Sequence, residues 1–122
     1  MARLYRITKS QDQTEKAELI LPELMIAESF WERMKGLLGK KDLQPSQALW
    51  IKPCNNIHTF FMQFAIDCIF INRANVIQKI YPQVAPFRIA GPVWKANSVL
   101  ELASGTAKKW NLKVGDQLHV VN

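Results

Sequence analysis

Apolar residues occur in short, separate runs along this chain, and most runs are bounded by proline, glycine or asparagine. Residues 3–8 alternate weakly and predict a short edge strand, and the polar stretch 8–16 reads as a loop. Across 18–27 two apolar runs, Leu19-Ile20-Leu21 and Leu24-Met25-Ile26, flank Pro22-Glu23. Proline cannot donate to a ladder, so a bent or edge strand is expected there. Ser29, followed three residues later by Glu32, makes a capping box that starts a helix at Phe30. Its apolar face would be Phe30, Met34, Leu37 and Leu38, with Gly36 or Gly39 giving a left-handed ending.

After Pro45 and Ser46, residues 48–51 predict a short buried strand that stops at Pro53. Two further strands are expected at about 59–62 and 66–71. The turn residues Asn72 to Asn75 then return the chain as a partner strand over 76–81, a β-hairpin. Pro82, Pro86, Gly91 and Pro92 make 82–95 an irregular excursion long enough to cover or border a cleft. A strand over 98–102, a short helix from Ser104-Gly105-Thr106 to Trp110, and a strand over 117–121 complete the pattern. Asn111 suits a left-handed helix end. The fold class expected is α+β, mainly β, a compact barrel or sandwich with two short helices.

With 122 residues and 48% hydrophobic content, the chain can bury one substantial core. We divide it into an N-terminal edge strand and loop, 1–16, and a single β-rich globular domain, 17–122. A formal net charge of +6 would attract nucleic acid, anionic lipid or an acidic ligand. The basic residues are spread between Arg3, Arg6 and Lys9, Lys40 and Lys41, and Lys108, Lys109 and Lys113, so nucleic acid is not the expected partner. No apolar stretch has the ~20 residues of a membrane helix, and no h-region follows the basic N-terminus. A soluble, cytoplasmic protein is expected, or an exported one if a signal had been trimmed from it.

Four motifs occur in order: Glu32-Arg33-Met34-Lys35-Gly36-Leu37-Leu38-Gly39; Ile57-His58-Thr59-Phe60-Phe61-Met62 with Phe64 and Ile66-Asp67; Val99-Leu100-Glu101-Leu102 with Gly105; and Gly115-Asp116. In these the chain resembles the bacterial and archaeal family called domain of unknown function 192, over about residues 17–121. The resemblance implies a small, mainly β, jelly-roll-like domain with short helices packed against it, and it implies no biochemical activity. Ala65 stands where such sequences usually carry proline, and Cys68 where an aliphatic residue is usual, which makes Cys68 a poor candidate for a shared catalytic role. Many relatives carry an export signal or lipoprotein leader.

Candidate chemistry concentrates in 53–70, where both cysteines, His58 and Asp67 are embedded in the most aromatic run. On one uninterrupted strand His58 and Asp67 would face opposite ways. Their cooperation therefore requires a break, best placed at Gln63-Phe64-Ala65. Asp67, flanked by apolar residues, must find a cation, donors or a proton. It is either a structural anchor, the preferred reading, with Arg33, Arg88, Thr59 or backbone amides as donors, or a ligand-binding or general-base group.

His58 can be an acid/base group, a metal ligand or a histidine satisfied by turn backbone. Cys54 beside His58 invites a thiolate nucleophile, but both cysteines are expected to be reduced and buried. A Cys54-His58-Asp67 triad can be written, though spacing does not enforce it. Glu101 points away from the face of Leu100 and Leu102, toward solvent or toward the cleft, and Arg33 is the natural counter-charge for either carboxylate.

The ligand-binding set is thus Cys54, His58, Thr59, Asp67, Glu101 and Arg33, with no metal or cofactor expected. A binding or interaction module is the first functional reading, with a small polar ligand or a protein as partner. The alternative is a small hydrolase or transferase using Cys54 or His58 with Asp67.

Overall fold

A computed structural model describes residues 2–122, apart from the side chains of Phe30 and Met34, so the apolar face expected at those two positions lies outside the described residues. Among the described residues nine strands and two helices follow in order: β1 (Ala2–Lys9), β2 (Glu15–Ala27), α1 (Phe30–Lys35), β3 (Gln47–Ile51), β4 (Ile57–His58), β5 (Ile66–Ile71), β6 (Ile77–Val84), β7 (Ile89–Ala90), β8 (Ser98–Ala103), α2 (Thr106–Lys109) and β9 (Gln117–Val121). Seven strands form one sheet in the order β6-β5-β8-β3-β2-β1-β9, and β4 pairs with β7 in a second, two-stranded sheet. The large sheet is mixed: β2 and β3 run parallel, and its other ladders are antiparallel. The protein is mainly β with two short helices, as expected.

The sheet curls without closing. Its edge strands β6 and β9 approach each other at an isolated bridge, Val76 to Gln117, and no ladder joins them. Inside the curl lies one core, with Leu4, Leu21, Leu24, Trp50, Ile69, Ile71, Leu100 and Leu118 buried together and Ala107 and Leu112 closing one side. A second core covers the outer face of β3, β8 and β5, where Leu37, Leu43, Ile57, Met62, Ala90 and Ala96 pack on Leu49, Ile51, Cys68, Phe70 and Val99. Covered on both faces, β5 and β8 are buried at every position.

Several expectations need correction. β1 is not an edge strand, since it lies between β2 and β9. The 8–16 loop shrinks to a turn, because Thr8 pairs with Lys16 and Lys9 with Glu15 in a projecting hairpin end. Polar side chains suffice there, as the hairpin end has no core to face. β2 is likewise interior, but it is irregular as its proline requires. Its register against β1 shifts between Ala2 and Leu4 and again between Leu4 and Tyr5, leaving Pro22 outside the ladder and turning both Ile20 and Leu21 inward.

No strand forms over 59–62. Phe61 takes a positive φ of 65°, and the Met62 amide donates to the Thr59 carbonyl at 3.2 Å, so the chain turns there. A break between His58 and Asp67 was required only for the two to cooperate, and it begins earlier than the expected Gln63-Phe64-Ala65. It does not bring them together, since His58 lines the outer-layer cavity and Asp67 binds backbone amides on the inner side.

Candidate functional site

The outer core contains a cavity of about 230 Å³. One wall is α1 and the turn after it, with Arg33, Lys35, Gly36, Leu37 and Leu38. The opposite wall is Pro53, Cys54, Asn56, Ile57 and His58, with Met62 beyond, and Ile51 and Glu101 supply the floor.

Each wall has a local cause. Ser29 Oγ accepts from the Glu32 amide at 3.1 Å while Glu32 Oε1 accepts from the Ser29 amide at 3.1 Å, the capping box read from sequence. That fixes the start of a one-and-a-half-turn helix, and Gly36, with φ 50°, ends it. Arg33 Nη1 donates to the Pro53 carbonyl at 3.3 Å and ties one wall to the other. The second wall is held from behind: the Cys54 amide donates to Asn97 O at 3.0 Å and the Val93 amide to Asn55 O at 2.9 Å.

The six candidate residues separate into two groups. Arg33, Cys54, His58 and Glu101 line the cavity; Thr59 and Asp67 do not. The β5–β8 register pairs Asp67 with Leu102 and Cys68 with Glu101, so the two carboxylates project from opposite faces of the sheet.

Asp67 points into the inner side and is fully buried. Its carboxylate accepts from the backbone amides of Gln83 at 2.8 Å, Gly105 at 3.3 Å and Ala107 at 2.9 Å. It thereby joins β6 and the start of α2 to β5. Thr59, also fully buried, has a comparable role: its hydroxyl donates to Ala85 O at 2.6 Å and accepts from the Arg88 amide at 2.9 Å, pinning the 82–95 excursion.

Glu101 is the carboxylate that faces the cavity. It is 3% exposed, and its Oε1 has no hydrogen-bond partner among the described residues. Burial pushes its carboxyl up to about 7. Arg33 Nε is likewise buried and unpartnered. Burial raises the Cys54 thiol above its ordinary range, the negative charge of Glu101 adds to that, and Arg33 opposes it. Cys54 Sγ lies 3.0 Å from Asn56 O as donor. Cys68, in the outer core, is held protonated by burial and by the neighbouring Glu101 and Asp67.

His58 is exposed at the rim. Its ring lies 5.1 Å from that of Phe60, which is 6.3 Å from Phe87, and Phe61 meets Phe87 edge-on at 5.7 Å. An aromatic ridge therefore continues from the cavity mouth. Of this ridge the sequence offered only Phe87, with Arg88 and Trp94, as a groove-lining or barrel-sealing group of the excursion. Phe60 and Phe61 were missed because a turn carries no period from which facing can be read, and Lys35 because nothing in α1 alone shows that a second wall stands opposite it. Among the described residues no three of His, Cys, Asp and Glu gather as a metal site.

The family model of domain of unknown function 192, described as "Uncharacterized ACR", matches residues 9–120. The chain belongs to this family. The match reaches from the end of β1 to β9, so the cavity and the outer core fall within it, while Ala2 and Leu4 of the inner core precede it.

Two solved structures resemble this member of the family. One, from Sinorhizobium meliloti and described as a proposed transcription regulator, aligns with a TM-score of 0.76 at 19% identity, covering 98% of this chain and 94% of that one. The other, a protein of unknown function from Novosphingobium aromaticivorans, aligns with a TM-score of 0.77 at 16% identity, covering 96% of this chain and 83% of that one. At these identities the likeness is one of fold. No curated protein matches in sequence. No helix among the described residues is long and apolar enough to cross a membrane.

Proposed function

We propose that this protein is a small binding module whose outer-layer cavity takes a small polar ligand. One observation carries the reading: two buried polar atoms without partners among the described residues, Glu101 Oε1 and Arg33 Nε, belong to side chains that line the same cavity. Leaving such a group unsatisfied costs about 1–3 kcal/mol, so a fold that keeps two of them beside one opening is suited to a ligand that satisfies both. Mostly apolar walls with a few convergent polar groups are the usual make-up of a small-molecule site.

The enzyme alternative has less support. A thiol held above its ordinary range is a poor nucleophile, and Asp67 spends its oxygens on three backbone amides across the sheet from Cys54 and His58. Nucleic acid is also less favoured. The lysines of α2 belong to the inner-core side of the sheet, whereas the exposed ridge of Phe60, Phe61 and Phe87 belongs to the outer layer, so that basic cluster is not interleaved with the stacking platform, beside which Arg88 is exposed.

The test is a melting-temperature screen with a panel of small carboxylates, amines and neutral polyols, on the wild type and on Glu101→Leu. Stabilisation of the wild type by one of these classes, absent in Glu101→Leu, is the expected result. A wild type that no class stabilises, with no shift in ligand-observed NMR, would sink the reading.

A further inference from the structure

Taking the cavity to be a binding site, as above, we infer that its ligand is a small carboxylate with a short apolar body, its head held between Arg33 Nε and the Glu101 carboxyl. The charged lining decides the sign. Arg33 and Lys35 face the cavity from α1, Glu101 is the acidic lining residue, and no ion pair among the described residues joins it to either cation.

The other titratable groups of the cavity are Cys54 and, at its rim, His58 from the second wall, and behind Glu101 lies Cys68, its cross-strand partner on β5. Both thiols are held toward their neutral form, so neither adds negative charge. With its carboxyl pushed up to about 7 and 97% of its surface removed from water, Glu101 presents an O–H donor mainly in mildly acidic solution and about half the time at neutrality. The site then offers an O–H and a guanidinium N–H, with net positive charge and no acceptor of matching strength.

A carboxylate fills that pair: one oxygen takes the Arg33 Nε–H and the other the Glu101 O–H, both charge-assisted bonds. An ammonium head would instead sit beside two cations and would have to draw the proton from Glu101. Beyond the head, Leu37, Ile51 and Met62 are all buried and apolar, which suits a few methylenes or a small ring. A cavity of about 230 Å³ has no room for a long chain.

Binding of this kind is linked to a proton. An anion beside Glu101 favours its neutral form, so complex formation takes up a proton above neutrality, and affinity falls as pH rises. For one group titrating near 7, the fall between pH 6 and pH 8 is about tenfold.

The experiment is a titration of the full chain with butyrate, followed by calorimetry and by the Arg33 Nε–H resonance, at both pH values and in two buffers of different ionisation enthalpy. n-Butylammonium and butyramide serve as charge-altered probes of the same shape. Butyrate should bind about tenfold more weakly at the higher pH, with proton uptake. Glu101→Gln, which keeps a donor, should bind with little pH dependence, and Arg33→Gln should lose most of the affinity. His58→Gln should leave the pH dependence in place.

Preferential binding of n-butylammonium with proton release, or of butyramide, would overturn the carboxylate assignment and leave the cavity a binding site. Failure of all three probes, together with a silent panel screen, would overturn both.

Discussion

At the scale of single residues, the two buried carboxylates show how one residue type takes two roles. Asp67 and Glu101 sit on neighbouring strands and are both nearly inaccessible, yet Asp67 receives three backbone amides and Glu101 Oε1 receives none. Glu101 therefore carries a pH signature. Its folded carboxyl lies near 7 against an ordinary 4.5, so its contribution to stability is complete below 4.5 and is lost as pH rises through about 7. Relative to Glu101→Gln, the wild type should lose on the order of 3 kcal/mol over that window. Urea denaturation of both proteins at about pH 5 and about pH 8 measures the difference, and an equal gap at the two pH values would contradict it. Asp67 was legible in the sequence as an anchor, because an apolar neighbourhood leaves a carboxylate few options. For Glu101 alternation gave the facing but not what covered that face, since the cover comes from α1 and 53–62, distant in sequence.

At the scale of elements, local chemistry was readable wherever it closed on itself. The capping box of α1, the turn at Asn72 to Asn75 and the strands β5, β8 and β9 follow from neighbouring residues, and the structure has them. The run 57–62 misled because its apolar residues have strand character while Thr59 makes its bonds to Ala85, Phe87 and Arg88, far along the chain. The short β4–β7 ladder that results is kept close to the large sheet by Gly91. A Cβ there would stand 2.8 Å from Asn55 O and 3.2 Å from Phe70 Cε2, and φ is +91°. Gly91→Ala should destabilise the fold by about 2 kcal/mol or more, through strain and through displacement of the Asn55-Asn56 wall. The same variant should weaken whatever ligand the cavity takes. A melting temperature equal to that of the wild type would show that the wall moves freely, against the close packing seen here.

At the scale of the whole molecule, the informative feature is a sheet that curls until its edges touch and stops there. Barrel or sandwich was as far as strand count could go, since closure depends on how β6 and β9 meet, and their sequences do not encode each other. They meet through a few bonds at one end: the Ile77 amide donates to Asp116 O at 3.0 Å, Gly115 to Ile77 O at 2.9 Å, and Leu118 to Asn75 O at 2.8 Å, while Gln117 Nε2 reaches Ala74 O at 2.7 Å. These bonds seal the inner core near Ile77 and Leu118, both buried. If the seam belongs to the cooperative unit, the Ile77, Gly115 and Leu118 amides should exchange with solvent as slowly as those of β5 and β8, opening only on global unfolding. Gln117→Ala, which removes the side-chain tie to Ala74, should speed exchange at these three amides and leave the central strands protected. Exchange of the three at loop-like rates in the wild type would mean that the seam opens independently, and that the inner core is held by the curl of the sheet alone.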